Sequence, residues 1–119
     1  MQDFKNLKVW RHAHQLTLDV YAETQSFPSE ERYGLRAQIR SSAASIGINI
    51  AEGCGRGGDP EFRRFLHISM GSASELEYQL LLARDLKMLA GPRHIVLTDQ
   101  VTKVKKMTAS LIRKLKADS

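Results

Sequence analysis

The stretch LRAQIRSSAASIGINIAEGCGR, residues 35–56, decides the fold. Read at 3.6 residues per turn, it carries three separate stripes. Leu35, Ile39, Ala43, Ile46 and Ile50 form an apolar one. Gln38, Ser42, Ser45, Asn49, Glu52 and Arg56 form a polar one at 4-3-4-3-4 spacing. Ala37, Ser41, Ala44, Gly47 and Ala51 form a small-residue one, with Ile48 at its edge. Between Ser41 and Gly55 the only ionisable carboxylate is Glu52. A helix with one solvated face carries more charge than that. This helix is therefore expected to be covered on more than one side, by its own bundle and by a second subunit. A tightly packed monomeric core is the alternative.

Working outward, three punctuation points divide the chain: Phe27-Pro28-Ser29, Gly53 to Pro60, and Gly91-Pro92. Each intervening segment has a helical period and none has sustained alternation. In the first, about 6–26, Leu7, Trp10, His14, Thr17 and Tyr21 fall on one stripe, with Leu18 and Val20 beside it. The second is expected to start at Ser29, with Glu30 and Glu31 in its first turn. Asp59-Pro60-Glu61 is a start signal for the third, expected to run to Ala90. The fourth repeats Leu97, Val101, Val104, Thr108, Leu111 and Leu115 at 4-3-4-3-4 spacing. The glycines of 53–58 read as a helix-to-helix turn. The expected architecture is all-α, a single domain over residues 1–119, folded as an antiparallel up-down-up-down four-helix bundle. Helices of ~25 residues make it a rod about 38 Å long.

The 119 residues hold eighteen Lys or Arg and thirteen Asp or Glu, a formal net charge of +5. Residues 1–92 balance at eleven of each, so the whole excess lies in residues 93–119. Lys103, Lys105, Lys106, Arg113, Lys114 and Lys116 are the candidate nucleic-acid-binding residues. Spread around the outer arc of the fourth helix, they also suit a solvated face. The N-terminus lacks the pattern of a secretory signal and no apolar run is long enough to span a bilayer, so a soluble, cytoplasmic protein is expected.

Recognised catalytic and metal motifs are missing. His12 and His14 point about 200° apart on a helix. No Glu-x-x-His or His-Glu-x-x-His occurs, and the single cysteine, Cys54, excludes both an intrachain disulfide and a thiolate zinc site. Asp59 stands where a phosphate loop needs Lys. No cofactor or metal is expected. The polar stripe admits two readings. Gln38, Asn49, Glu52 and Arg56, with Ser72 and Glu75 from the third helix, form either a hydrogen-bond network that fixes helix register or an interface, or a pocket with Glu52 and Glu75 as acid and base.

The motifs Leu7-x-x-Trp10, Phe27-Pro28-x-x-Glu31-x-Tyr33-Gly34-Leu35, Gln38-Ile39-Arg40, Ala44-Ser45-Ile46-x-x-Asn49-Ile50-Ala51-Glu52-Gly53-x-Gly55-Arg56, Glu61-Phe62-x-x-Phe65-Leu66 and Gly71-Ser72-x-x-Glu75-Leu76-Glu77 resemble the 23S ribosomal RNA intervening-sequence, or S23-like, family of bacterial four-helix bundles. That family is related to the accessory variability protein of diversity-generating retroelements. The resemblance covers about residues 4–90, and the fourth helix matches by pattern only. Gly47 and Ile48 depart from a frequent Pro and Ser, and Ser41-Ser42 replaces a commonly basic, then small, pair. The resemblance implies an antiparallel four-helix bundle and a ring-shaped homopentamer. In the retroelement relatives it implies a positively charged pentamer linked to nucleic acid and a reverse transcriptase.

Two functions follow as expectations. The first is a non-enzymatic homopentamer associating with RNA or DNA through a basic surface, five copies carrying about +25. The second is a protein-interaction scaffold that docks a reverse transcriptase or an RNA-processing enzyme. An enzyme built on the polar stripe is the third and least supported.

Overall fold

A computed structural model describes residues 3–118. A short 3-10 turn, Phe4–Asn6, leads into α1 (Lys8–Thr24). A second, Ser29–Glu31, precedes α2 (Leu35–Gly55), which is followed by α3 (Asp59–Asp85) and α4 (Gly91–Asp118). No strand occurs among the described residues. Each helix packs on its neighbours in the chain, and α1 closes the ring against α4. Cross-contacts run in opposite directions at every step. Thr17 bonds the Ala43 carbonyl while Trp10 lies against Gly47. Ser72 meets Ser45, and Phe65 lies on Gly53. Lys105 reaches Glu77, and Arg63 reaches the Leu115 carbonyl. The result is the expected antiparallel up-down-up-down bundle, 46 × 23 × 20 Å.

The core runs the length of the rod and is mainly aliphatic, with Phe27, Phe62 and Phe65 toward its ends. Leu16, Ile39, Ile46, Ile50, Leu66, Leu76, Leu80, Leu97 and Val101 are fully buried. The α2 and α4 seams follow the sequence pattern, although Leu111 and Leu115 at the end of α4 are half-buried. In α1 the phase differs. Val9, Ala13, Leu16, Val20 and Thr24 face the core, while Leu18 and Tyr21 are exposed. The aromatic stripe is turned about one residue round the helix, toward α2. There Trp10 stacks on His14 at 4.9 Å and takes the edge of Phe4 at 4.8 Å. The larger side chains of α1 thus cover the small-residue stripe of α2, leaving modest Val and Ala for the crowded centre.

Helix boundaries depart from the sequence signals in ways that backbone chemistry explains. Ser29 opens the 3-10 turn, and α2 begins six residues later. Its start is held by Glu31, whose carboxylate accepts the Leu35 N–H at 2.9 Å. The third helix stops at Asp85, five residues before the expected end. Lys87 takes a left-handed φ of 65°, with Met88 N–H bonding Ala83 O and Lys87 N–H bonding Arg84 O. This is the Schellman closure, made with a lysine in the usual glycine position. Gly91-Pro92 opens α4, a role proline suits because its missing N–H is not needed in a first turn.

Gly53 and Gly55 are also not turn residues. They lie in the last turns of α2, and the turn proper is Arg56–Gly58, with Gly58 at φ 97°. Gly53 is buried because α3 crosses directly on it. A Cβ there would lie 2.6 Å from the Phe65 Cβ and 3.1 Å from the Phe62 ring. Gly55 has open space at the same place. Helix propensity favours Gly→Ala by about 1 kcal/mol at an interior site, whereas overpacking costs about 1–3 kcal/mol. Gly53→Ala is therefore expected to lower stability by up to about 2 kcal/mol net in urea melts. Gly55→Ala should be neutral or slightly stabilising. Equal effects of the two substitutions would contradict the close crossing.

Candidate functional site

The basic residues of α4 divide into two groups. Lys103, Lys106, Arg113, Lys114 and Lys116 are exposed. Lys105 is half-buried and bonds the Glu77 carboxylate of α3 at 2.9 Å, so it staples two helices. Arg93, at the start of α4, is likewise paired with Glu23 of α1.

Ring closure brings further cations to the same surface. The first turns of α1 lie beside the last turns of α4. Between them an apolar cleft of about 410 Å³ has Leu7, Val9, Met107 and Leu111 among its lining, and Lys8, Lys106 and Lys114 also line it. One turn along, His12 registers the local field. Burial lowers its pKa from the ordinary value, and Lys103, Lys8 and Arg11 lower it further by charge repulsion. Lys8 and Arg11 were not among the sequence candidates. An up-down-up-down topology places the first helix's start beside the last helix's end, and that was the available signal.

The same closure polarises the whole rod. We divide it at the level where Ser45 touches Ser72, through about residue 14 of α1 and about residue 104 of α4. The half holding residues 3–14, 45–72 and 104–118 has eleven basic and five acidic side chains. The other half has seven and eight, with Lys103 at the dividing level counted among its seven. A charge excess that lies in the last quarter of the sequence is thus, in space, a basic end to which α1, α3, α4 and the α2–α3 turn contribute cations.

The polar stripe of α2 faces α3 but does not converge on one point. Ser45 and Ser72 share a hydrogen bond of 2.9 Å, and the Asn49 amide donates back to the Ser45 carbonyl and hydroxyl. Ser69 donates to the Ile46 carbonyl at 2.9 Å. These bonds set register. Glu52 and Arg56 form a half-exposed i,i+4 pair at 3.5 Å near the end of α2. Such exposed pairs contribute little stability. Gln38 and Glu75 lie toward the other end, lining a cleft with Ser41 and Ser42. Glu52 is ten residues from Ser42, a rise of about 15 Å along α2. Glu52 and Glu75 are therefore not brought together as an acid–base pair. Arg40 is engaged elsewhere. It donates to Thr24 Oγ1 at 2.8 Å and to the Tyr21 carbonyl at 3.0 Å, and lies over the Tyr21 ring.

Other chemistry finds no arrangement among the described residues. No group of three His, Cys, Asp or Glu is placed to hold a metal ion. Cys54 is buried, and desolvation, helped by the nearby Asp3 carboxylate, raises its thiol pKa. That favours the thiol over the reactive thiolate. No helix is long and apolar enough to cross a membrane.

Comparison with known proteins agrees with this architecture. The chain is similar to a solved structure described as a protein of unknown function from the S23 ribosomal protein family of Bacteroides thetaiotaomicron. The TM-score is 0.82 at 23% identity, over 88% of this chain and 95% of that one. At that identity the likeness concerns the fold. No curated protein matches the chain. The model of the family described as 23S rRNA-intervening sequence protein matches residues 5–110, from the 3-10 turn before α1 well into α4. With its four-helix fold and a match over most of its length, the chain belongs to the 23S rRNA-intervening sequence protein family.

Proposed function

We propose that this chain is a non-enzymatic bundle protein that assembles with copies of itself and associates with nucleic acid through its basic end. The observation that carries this reading is the convergence of Lys8 and Arg11 of α1 with Lys103, Lys106 and Lys114 of α4 around His12 and the α1–α4 cleft. Cations that pair with no carboxylate among the described residues and share one surface neutralise phosphates and release counterions. The contacts are to backbone charge, so affinity falls steeply with salt and varies little with base sequence.

Self-assembly is supported by two unlike apolar surfaces. On the α1–α2 side Ile48 is 61% exposed, beside a shallow hollow whose lining includes Trp10, Ala44, Gly47 and Ala51. On the α3–α4 side Tyr78 is 62% and Ile95 61% exposed. A closed ring needs two different faces that fit each other. Five copies, the number implied by the family resemblance, would repeat the basic end with fivefold valency. The same exposed apolar side chains support the second reading, a scaffold that docks a reverse transcriptase or an RNA-processing enzyme.

Two measurements test the proposal. In solution the mass should lie near five times the 13.4 kDa chain. A single-chain mass would overturn the assembly, and a co-purified polymerase would favour the scaffold. In fluorescence titrations with a short RNA and its DNA counterpart, Lys106→Gln plus Lys114→Gln should weaken binding. The variant should also flatten the salt dependence by about one unit of slope per lysine removed. Lys105→Gln should bind like the parent, because Lys105 already serves Glu77. Absence of binding at low salt, or equal effects of the two variants, would overturn the basic-end reading.

Proton linkage gives a third expectation. Burial and, after it, the three cations depress the His12 pKa in the free protein, and a bound polyanion neutralises the cations, so His12 should take up a proton on binding. Affinity should then rise as pH falls through the imidazole range, and His12→Asn should remove that dependence. Affinity independent of pH in the parent protein would show that His12 lies outside the contact.

A further inference from the structure

The polar cleft between α2 and α3 is distinct from the basic end and stands on its own observation. It is lined by Gln38, Ser41, Ser42 and Ser45 of α2 and by Glu75 and Gln79 of α3, and encloses about 320 Å³. Gln79 is only 7% exposed, and its side-chain Oε1 is buried without a hydrogen-bond partner. An unpartnered buried acceptor is unfavourable in a folded protein and calls for a partner that supplies N–H or O–H. Glu75 stands one helical turn before Gln79 and is the only charged side chain lining the cleft. The Ser41 and Ser42 hydroxyls add acceptors that can turn to suit a donor, while Ser45 is held by Ser72 and Asn49. At about 30 Å³ per water the space holds far more than one solvent molecule.

We propose that this cleft binds a small organic monocation carrying a primary ammonium or guanidinium group. Gln79 Oε1 is closed to solvent in this conformation, so the cationic N–H groups would first meet the Glu75 carboxylate, and Gln79 Oε1 would join them once its terminal amide turns toward the cleft, with a short alkyl stem along Ala37. A strong donor set, a single positive charge and small size are what this lining selects. Anions are disfavoured by Glu75. Dications are disfavoured too, because Arg32, Arg36 and Arg40 line the adjoining hollow beyond Ala37 and Ser41.

The test is an NMR shift titration of the full chain with n-butylammonium and with methylguanidinium, using N-methylacetamide as the neutral control. Saturable shifts are expected at residues 37–45 and 75–79 with either cation and not with the amide. Glu75→Gln and Gln79→Leu should each weaken binding at least tenfold. Gln79→Leu carries its own control on folding. It replaces the stranded amide by an apolar side chain of similar size, so without ligand it should melt a few degrees higher than the parent. Four results would overturn the proposal: no saturable shift in the parent protein, binding unchanged in Glu75→Gln, a lower melting temperature for Gln79→Leu, or a smaller particle mass in either variant with no cation bound. The last would make the cleft a subunit contact.

Discussion

Two helices can cross at Gly53 only because that residue has no side chain. Phe62 and Phe65 occupy the volume a Cβ would need, so α2 and α3 meet backbone to ring at that end. From this contact the register of the pair follows. Ser69 comes level with the Ile46 carbonyl and Ser72 with Ser45, and the hydroxyls find partners on the opposite helix. These bonds would be costly to leave unmade in a buried layer. The glycine thus fixes how close the helices come, and the serines fix their relative slide. The α2–α3 pair is the most extensive helix contact in the molecule, and α1 and α4 pack onto the frame it provides.

Much of this architecture was legible in the sequence because it rests on periodicity. The 4-3 spacing of Leu97, Val101, Val104 and Thr108 reports a buried seam whatever the loops do, and all four residues are buried. The apolar stripe of α2 is equally plain. The departures come where a short-range rule competes with tertiary contact. In α1 the helical period is compatible with two neighbouring stripes, one through Trp10 and Tyr21 and one through Val9, Ala13 and Leu16, and the second is the buried one. Four closely packed helices leave little room at the centre, and the large rings sit at the seam with α2. Helix ends were misplaced for a related reason. The stop at Lys87 uses a left-handed lysine, which has no compositional signature, and the start at Leu35 uses a glutamate four residues upstream. The polar stripe could be seen on α2, but which parts meet α3 depends on axial level, and that separates Glu52 from Glu75.

Charge shows the same gap between chain and space. Along the sequence the excess is C-terminal. In the rod it is an end, because antiparallel packing lays the start of α1 beside the finish of α4. Lys105 and Arg93 count as basic in the sequence yet act as internal clamps. Lys8 and Arg11 belong to a balanced segment yet join the cationic surface at the α1–α4 seam. A functional reading from total charge alone would have chosen partly different residues.

The α1–α4 seam differs from the other three in how far apart along the chain its members lie. Three of the bundle's seams join consecutive helices through short connections, contacts that form early and locally in a folding chain. The fourth joins the first helix to the last and closes a loop of nearly the whole molecule, at a larger cost in chain entropy. The cationic surface is made by that closure and is absent from a chain in which α1 is detached. Any polyanion held across Lys8 and Lys114 binds the closed bundle in preference to one with α1 detached. By mass action it shifts the chain toward the completed fold.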